Sequence, residues 1–355
     1  MEAASLTAAR VDPSPAARAW ARVRAFLDAY GLIILLLALP VTYGIRDLAN
    51  DGSLSHLARN IKDGLSNGAI YAIIALGYTL VYGIVELINF AHGDLFMIGT
   101  ATAAAVLTTL IGPLGLLLAA VLALLVAMVA CALVNAMIER VAYRPLRNAP
   151  KLAPLISAVG FSFILVNVGQ LWLGGQHVAV GDPIHNSVSF VTVAGVPFTH
   201  GDALAFGVTI PLLVVLTLFV TQSRLGKAMR ATAQDPEAAR LMGINVDTTI
   251  SVTFILGGAL AGAAGLIWTL YQNDVYFFQG FQAGLIAFTA AVMGGIGNLK
   301  GAVLGGLIIG CIQVLCEDRI PDGATWAPAI VFLYLILIMV FRPRGLIGEE
   351  TREAG

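Results

Sequence analysis

Residues 64–99 read GLSNGAIYAIIALGYTLVYGIVELINFAHGDLFMIG, and they contain the clearest structural signal in the chain. Two apolar runs flank a short polar interruption that contains Asn89, His92 and Asp94 around Gly93. Each run is close to the roughly 20 apolar residues that an α-helix needs to cross a bilayer. The stretch therefore predicts two membrane-spanning helices that are separated by this interruption, where Gly93 would allow the chain to break.

Apolar runs of spanning length recur along the whole chain. Of its 355 residues, 58% are hydrophobic and only 12% are charged, and the net charge is −1. These values exclude a disordered chain, a basic nucleic-acid binder and an ordinary soluble enzyme. We therefore predict an all-α membrane protein of about 8–10 transmembrane helices. The runs are Phe26–Ile45, 64–88, 92–111, 114–137, 153–173, 203–222, 250–271, 281–297, 301–316 and 325–341.

Basic residues divide the loops into two classes. Residues 139–153 and 223–249 carry four Lys or Arg each, whereas residues 174–202 carry none. Because cytoplasmic loops are enriched in basic residues, this distribution predicts ten spans with the N-terminus and the C-terminus both inside. The segment 46–62 fits this topology poorly, since it falls outside and yet carries three basic residues.

Ten spans also predict an internal symmetry. Two similar halves of five spans have opposite orientations because five is odd, and this inverted repeat is common in transporters. Residues 89–99 and 294–306 form a weak echo, since both are glycine-rich interruptions between apolar runs. A coincidence of two tight turns explains the echo equally well.

The chain divides into a cytoplasmic N-terminal extension at 1–25, a transmembrane domain at 26–348 and a cytoplasmic tail at 349–355. The apolar run near the N-terminus could belong to a signal peptide, but no A-x-A cleavage site follows closely, so an uncleaved first helix is preferred. Within the transmembrane domain, the loop 223–249 is too long for a tight turn.

This loop contains a helical stretch. Asp235-Pro236 is typical of an N-cap followed by proline at the first helical position. Glu237 falls in the first turn, where its charge suits the helix dipole, and Gly243 can end the helix in a left-handed turn. The two alanines after Glu237 are small enough, on the helix surface, to fit a groove on another protein. By shape alone, an ordinary amphipathic connector is the better interpretation.

The same loop resembles a known signature. Glu237-Ala238-Ala239 with Gly243 matches the EAA–x3–G pattern of bacterial ABC-importer permeases, in which this segment is the coupling helix that docks into the ATPase subunit. The usual Ile-x-Leu-Pro continuation is missing, since Thr253 stands at the matching distance and no proline follows. In this departure the chain resembles the branched-chain amino acid and sugar permeases, a branch of the family in which the motif is degenerate. The ATPase-coupling residues that the resemblance implies are Asp235, Pro236, Glu237, Ala238, Ala239 and Gly243.

Three further segments are similar to the LivH-type permeases of branched-chain amino acid importers: 88–99, 288–310 and FRPRGLIG at 341–348. The resemblance runs from about Leu57 to Gly348 and implies a type II ABC importer permease of the bacterial inner membrane. It implies transport of branched-chain or related hydrophobic amino acids. The implied partners are a second, LivM-like permease subunit, two cytoplasmic ATPase subunits, a periplasmic substrate-binding protein and membrane lipid.

Candidate residues of a translocation path fall in the same first segment. Asn89, His92 and Asp94 are either intramembrane polar groups of the path or helix caps in a cytoplasmic turn, and capping is the more frequent situation. Tyr71 and Tyr78 share one helix face and could offer hydroxyl groups to an amino acid. Helix packing or an interfacial aromatic belt explains a single tyrosine at least as well.

Other functional classes leave no signature. The chain contains no P-loop, no HExxH, no GxSxG and no clustered His/Cys set, so we predict neither an enzyme nor a cofactor or metal site. A channel or ion-coupled secondary transporter for a small polar solute such as urea or short amides is the alternative. It would require charged residues at mid-membrane, and the spans offer only Asp28, Glu86 and Asp94, all near span ends.

Overall fold

The computed structural model describes residues 15–147, 149–150, 152–186, 188–193, 195–343 and 345–347. Most of the predicted N-terminal extension and the whole predicted tail, 349–355, lie outside these residues. The described part is almost entirely helical. Its helices are α1 (Pro15–Asp51), α2 (Ser55–Val85), α3 (His92–Leu114), α4 (Leu116–Ile138), α5 (Leu152–Leu173), α6 (His200–Gln222), α7 (Arg224–Gln234), α8 (Pro236–Leu241), α9 (Val246–Gln272), α10 (Gln279–Gly294), α11 (Leu299–Arg319) and α12 (Gly323–Phe341).

Nine of the described helices are long and apolar enough to cross a membrane, which confirms the predicted range. The remaining predicted run, 281–297, corresponds to α10, which has only 16 residues and spans about 24 Å. Helix α10 ends at Gly294 because Gly295 and Gly297 have φ values of +107° and +91°, which favour glycine. The side chain of Asn298 then caps α11 by accepting the N–H of Gly301 at 3.1 Å.

Helices α2 and α9 form the buried centre of the molecule and run antiparallel to each other. Near one end, the amide of Gln272 donates to Asn67 at 3.1 Å. Further along, a Cβ placed on Gly77 would lie 3.1 Å from the carbonyl oxygen of Gly257, and the reciprocal distance is 3.3 Å. Helix α2 is the second spanning helix of the first half, and α9 is the second spanning helix of the second half. Two corresponding helices run antiparallel only if the two halves have opposite orientations in the membrane.

The other helix contacts agree with the same symmetry, in which each helix of one half corresponds to a helix of the other half. Helix α3 runs antiparallel to α10, with Gly93 against Gly284 and the Thr100 hydroxyl bound by Gln279. Helix α2 packs against α11, and correspondingly α9 packs against α4. Glycines permit both close approaches, since added Cβ atoms would meet backbone at 2.7 Å and 2.5 Å. The predicted inverted repeat is therefore confirmed, and the two glycines that make these approaches are Gly68 and Gly258.

The echo between residues 89–99 and 294–306 does not mark equivalent positions. The first segment joins α2 to α3, whereas the second joins α10 to α11. Under the exchange of halves, the α2–α3 junction corresponds to residues 273–278 between α9 and α10. The two glycine-rich turns resemble each other because both end a span, so this part of the sequence interpretation was wrong.

One face of the molecule collects the segments that carry most basic residues. The Tyr143 hydroxyl donates to the carbonyl of Ile88 at 3.2 Å, and Gly83 lies close to Gly297. Phe341 at the end of α12 contacts Gly31 in α1, so α1 passes the C-terminal end of α12 at this face. The helix ends that the predicted topology places on the inner side of the membrane thus lie together on one face of the molecule.

The opposite face carries a short antiparallel hairpin that the all-α prediction missed. Strand β1 (Ser189–Val193) pairs with β2 (Val196–Thr199), and Thr199 then caps α6. The charges that fitted the topology poorly also lie near this face. Lys62 forms an ion pair with Asp202 at 2.7 Å, so it is part of the folded core and is not a free loop charge.

Candidate functional site

Helix α8 begins and ends at the residues that the sequence predicts. The carboxylate of Asp235 accepts the N–H groups of Glu237 and Ala238, both at 2.9 Å, and Pro236 occupies the first helical position. At the other end Gly243 has a φ of +83°, and its N–H donates to the carbonyl of Arg240 at 3.0 Å. Both ends are therefore fixed by local hydrogen bonds.

The outer surface of α8 is apolar at its end. Leu241 is 89% exposed and Met242 is 82% exposed, while Glu237 and Ala238 are also exposed. Ala239 differs from the expectation, because it is buried and packs onto the helical core. The two alanines therefore have different functions: Ala238 belongs to the free surface, and Ala239 lets α8 lie close against the rest of the fold.

Helix α7 attaches this unit to the transmembrane helices. The side chain of Ser223 caps α7 by accepting the N–H of Gly226 at 2.9 Å. The guanidinium of Arg230 donates to the carbonyls of Val220 and Thr221, which lie in the last turn of α6. Met229 is buried on the opposite side of α7. The turn from α6 into α7 is thus held in place by side-chain hydrogen bonds and is not a loose connector.

The predicted path residues lie where the two halves meet. His92 is fully buried in the first turn of α3, with its ring centroid 4.6 Å from that of Tyr78. Asp94 is also fully buried and accepts a hydrogen bond from the Ser162 hydroxyl of α5. Neither side chain caps α3, whose N-cap residue is Ala91 without a side-chain bond, so the capping interpretation was wrong.

The break between α2 and α3 is not at Gly93. Helix α2 ends at Val85, and Glu86 adopts a left-handed conformation with φ +53°. Gly93 lies inside α3, where a Cβ would come within 2.3 Å of the Gly280 carbonyl oxygen. This glycine therefore serves the close approach of α3 to α10, and the sequence interpretation of it was wrong.

Several polar atoms at this site have no hydrogen-bond partner among the described residues. They are both ring nitrogens of His92, Oδ1 of Asp94, Oγ1 of Thr79 and Oδ1 of Asn89. Buried polar atoms are paired in more than about 90% of cases, because an unpaired one costs about 1–3 kcal/mol. A cluster of exceptions marks a place where a ligand or water can bind.

The predicted tyrosines separate into two groups. Tyr78 lines a narrow pocket together with Tyr82 and Phe288, and the volume open to the centre of a water molecule is about 10 Å³. Tyr71 is instead buried against Trp268, at a centroid distance of 6.4 Å, in a separate aromatic cluster. The pocket holds about one water. Tyr78 thus contacts both this pocket and the His92 ring, whereas His92 and Asp94 are buried beside the pocket without lining it and Tyr71 lies apart.

Asn89 belongs to a neighbouring contact. Its amide donates to Asn135 of α4 at 3.3 Å, and Asn135 donates in turn to the carbonyl of Phe254 in α9 at 2.6 Å. Asn135 is fully buried and was not among the sequence candidates. A lone asparagine near the end of an apolar run carries the only sequence signal, because its partners are about 46 and 119 residues away.

Two ionic networks, one buried and one partly exposed at Asp247, were also missed by sequence reasoning. One joins Lys62 to Asp202 near the outer face, and the other joins Glu139, Arg147 and Asp247 near the inner face. Charges at the ends of spans predict neither network, since similar charges in other proteins face water. Their pairing depends on which helix ends the fold brings together.

The chain matches one protein family over most of its length. The family described as "Branched-chain amino acid transport system / permease component" matches residues 60–340. The high-affinity branched-chain amino acid transport system permease protein BraD of Pseudomonas aeruginosa is 40% identical over 304 residues, which cover 84% of this chain and 98% of BraD. The corresponding LivH protein of Escherichia coli K12 is 38% identical over 303 residues, covering 84% and 97%.

Weaker similarities extend to a sugar permease and to one solved structure. The fructose import permease protein FrcC of Rhizobium meliloti is 30% identical over 175 residues, which cover 46% of this chain and 48% of FrcC. A solved structure, PsaBC from Streptococcus pneumoniae in complex with Fab, aligns with a TM-score of 0.44 and 13% identity over 84% of this chain and 95% of that chain. The family match and the long alignments with BraD and LivH are the decisive similarities. The chain belongs to the permease-component family of branched-chain amino acid transport systems.

Proposed function

We propose that this protein is the permease subunit of an ATP-driven importer in a bacterial inner membrane. In this proposal it forms the translocation path for branched-chain or related hydrophobic amino acids. The observation that carries the proposal is helix α8, which is capped at both ends and exposes Leu241 and Met242 beside the basic loops. The names of the relatives BraD and LivH support the substrate class.

Helix α8 is the docking element for a cytoplasmic ATPase. Exposed leucine and methionine side chains gain about 1.5–3 kcal/mol each when a partner buries them. Glu237 stands on the same short helix and offers a charged contact beside the apolar pair. Since Asp235 and Gly243 fix the ends of α8, a movement of the ATPase surface displaces the whole helix and not a single side chain.

The orientation of the chain follows from this assignment. The face that carries α8 and the loops around Arg144 and Arg230 lies in the cytoplasm, together with the N-terminal part of α1 and the end of α12. The division into an extension at 1–25, a permease domain at 26–348 and a tail at 349–355 belongs to the same proposal. The pairing of Lys62 with Asp202 supports it, because it accounts for one of the three basic residues of the outer segment.

The path passes the cluster of Tyr78, His92 and Asp94. An amino acid zwitterion needs both donors and acceptors, and this cluster offers unpaired atoms of both kinds. The cluster lies between α2 and α3 of one half and α9 and α10 of the other. A relative movement of the halves opens it, which is the usual form of alternating access in inverted repeats.

Other chains complete the importer. A second, LivM-like permease subunit lies against this one in the membrane, and a periplasmic substrate-binding protein delivers the amino acid at the outer face. The hairpin β1–β2 supports the latter contact, because its side chains Phe190, Val191 and Val193 are all about half exposed. A partner that covers these side chains would remove apolar surface from water.

Reconstitution tests the proposal. The chain is purified with its co-expressed ATPase, permease and binding-protein partners, placed in proteoliposomes with internal or external ATP, and assayed for labelled leucine uptake. We expect uptake that requires ATP and the binding protein. The matched variant Glu237→Lys should reduce co-purification of the ATPase while membrane insertion is retained.

Two outcomes would contradict the proposal. Leucine uptake without ATP or ATPase, abolished by an ionophore, would favour an ion-coupled transporter that uses Asp94. Equilibration of urea or acetamide by this chain alone would favour a channel. Both assays use the same vesicles, so the three functions are separated in one preparation.

A further inference from the structure

Glu139 is a buried carboxylate at the inner end of α4. It is 2% exposed and begins a π-helical turn, Glu139–Tyr143, that continues α4. Both of its oxygens are occupied: Oε1 accepts from the guanidinium of Arg147, and Oε2 accepts from the hydroxyl of Ser251 at 2.8 Å. Ser251 lies in α9, so this carboxylate already connects the two halves of the fold.

Arg147 extends the connection. It lies in the α4–α5 connection with its side chain only 16% exposed, and its guanidinium binds Glu139 with one nitrogen and Asp247 with another. Asp247 is itself 46% exposed and also accepts from Arg144 at 3.0 Å, but Arg144 is 43% exposed and, among the described residues, its side chain is paired with this carboxylate alone. Arg147 is thus the bridge between two carboxylates of different helices, while Arg144 is a peripheral partner.

The bridge ends beside helix α8. Asp247 is the second residue of α9, and the side chain of Asn245 caps that helix by accepting the N–H of Thr248 at 3.0 Å. The few residues between α8 and α9 are held by backbone bonds, including the N–H of Ile244 to the carbonyl of Ala239 at 3.0 Å. A displacement of α8 therefore reaches Asp247 through a short, hydrogen-bonded turn.

We propose that Arg147 is a positioning residue that carries the displacement of α8 from the second half to the α4–α5 hairpin of the first half. The inference rests on the proposed function of α8 as the ATPase contact. A planar guanidinium with several fixed donors is suited to hold two carboxylates at once, which a lysine ammonium does not reproduce. Without this bridge, the hydrogen bond from Ser251 to Glu139 still ties α9 to the end of α4, but the connection that leads from α4 to α5 loses its link to the first turn of α9.

A purely structural staple makes different predictions from a transmitting bridge. A staple stabilises the fold in every state, so its loss lowers stability, assembly and uptake together. A transmitting bridge matters only when α8 moves, so its loss leaves the complex assembled and lowers the uptake obtained per ATP. The ratio of uptake to hydrolysis is therefore the informative measurement.

The experiment uses the complete importer in proteoliposomes. Leucine uptake and ATP hydrolysis stimulated by the loaded binding protein are measured for wild type, Arg147→Gln, Arg147→Lys and the control Arg144→Gln. We expect both Arg147 variants to lose about tenfold in uptake per ATP, within the usual range of coupling between two sites. The Arg144→Gln variant should stay within about twofold of wild type, as expected for an exposed ion pair.

A distance measurement follows the bridge directly. Spin labels are placed at the exposed residues Arg140 and Thr248, one on each side of the bridge. In the wild-type complex we expect the distance between them to stay constant when nucleotide binds, because both ends move together. In Arg147→Gln the distance should change with nucleotide.

Each alternative outcome has one meaning. A wild-type complex without ATP-driven uptake overturns both the proposed function and this inference. Normal uptake per ATP in both Arg147 variants, with a distance that does not respond to nucleotide, overturns the inference alone. Loss of subunits from both Arg147 complexes would identify a staple and would also overturn it.

Discussion

Two buried polar clusters of this protein differ in how well they are paired. In the outer cluster, the Lys62 ammonium and the Ser66 hydroxyl both donate to Asp202 at 2.7 Å, and the backbone N–H of Thr199 donates to it at 2.8 Å. In the central cluster, His92 and Asp94 are just as buried, yet three of their polar atoms have no partner among the described residues. The two clusters are therefore equally buried, but only the outer cluster has its polar atoms paired by hydrogen bonds.

The difference separates stability from function. A paired ionic cluster costs little while it is intact and much when one partner is removed. An unpaired cluster is already a cost in the closed state, so it persists where a ligand or a second conformation uses the free atoms. We infer that the outer cluster holds α2 to α6, whereas the central cluster is a site of action.

The largest expected effect is on the outer cluster. Lys62→Met removes the cation and leaves Asp202 buried and negative between α2 and α6. Breaking one side of a buried ion pair costs about 3–5 kcal/mol, so we expect a lower free energy of unfolding of that size. Urea titration of the protein in detergent micelles, followed by tryptophan fluorescence, measures it.

A double variant sharpens this prediction. Lys62→Met with Asp202→Asn removes both charges and keeps an acceptor for the Thr199 backbone. It should recover a substantial part of the lost stability, because no isolated charge remains buried. Equal destabilisation of the single and the double variant would contradict the assignment of Lys62 and Asp202 as a pair.

The next effect is steric and lies beside His92. A Cβ at Gly77 would come within 2.4 Å of His92 Nε2, so Gly77→Ala displaces the ring. Overpacking a filled core costs about 1–3 kcal/mol, and we expect a loss of that size together with loss of uptake. Gly160→Ala is the control, since nothing lies within 4 Å of the added methyl group. Equal behaviour of the two variants would show that the contact is not tight.

Asp94→Asn tests the central cluster itself. The change keeps the shape, removes the charge and leaves an acceptor for Ser162, so the free energy of unfolding should change by less than about 1 kcal/mol. Uptake should nevertheless fall by about tenfold or more, because the site loses its carboxylate. The control is Asn167→Ala on α5, whose amide bonds only to its own helix. A stable Asp94→Asn importer with normal uptake would remove this carboxylate from the path.

Much of the architecture was predictable because the bilayer imposes it. Spanning helices need about 20 apolar residues, and such runs are visible in any single sequence. The ends of α8 were predictable for a similar reason, since Asp235, Pro236 and Gly243 act on their immediate neighbours. Local rules of this kind depend on residues a few positions apart.

The polar clusters were not predictable, because they depend on distant partners. Asp202 finds Lys62 across 140 residues, and His92 is a buried ring and not a cap because Gly77 and Tyr78 of α2 pack against it. The same holds for Gly93, whose role is set by α10 and not by its own turn. Sequence spacing predicts which residues could act, and packing decides which of them are paired.

The smallest expected effect on stability comes from a residue outside both clusters. Leu241 is 89% exposed at the end of α8, so Leu241→Asp should change the free energy of unfolding by less than about 0.5 kcal/mol. The same change should abolish co-purification of the ATPase, because it places a charge in an apolar contact. Leu241→Met keeps the apolar surface and should retain the ATPase. If Leu241→Asp still binds the ATPase, then α8 does not dock through its apolar end. The exposure of Leu241 would then have no function in docking, just as the exposed apolar side chains of α4 need no protein partner because they face lipid.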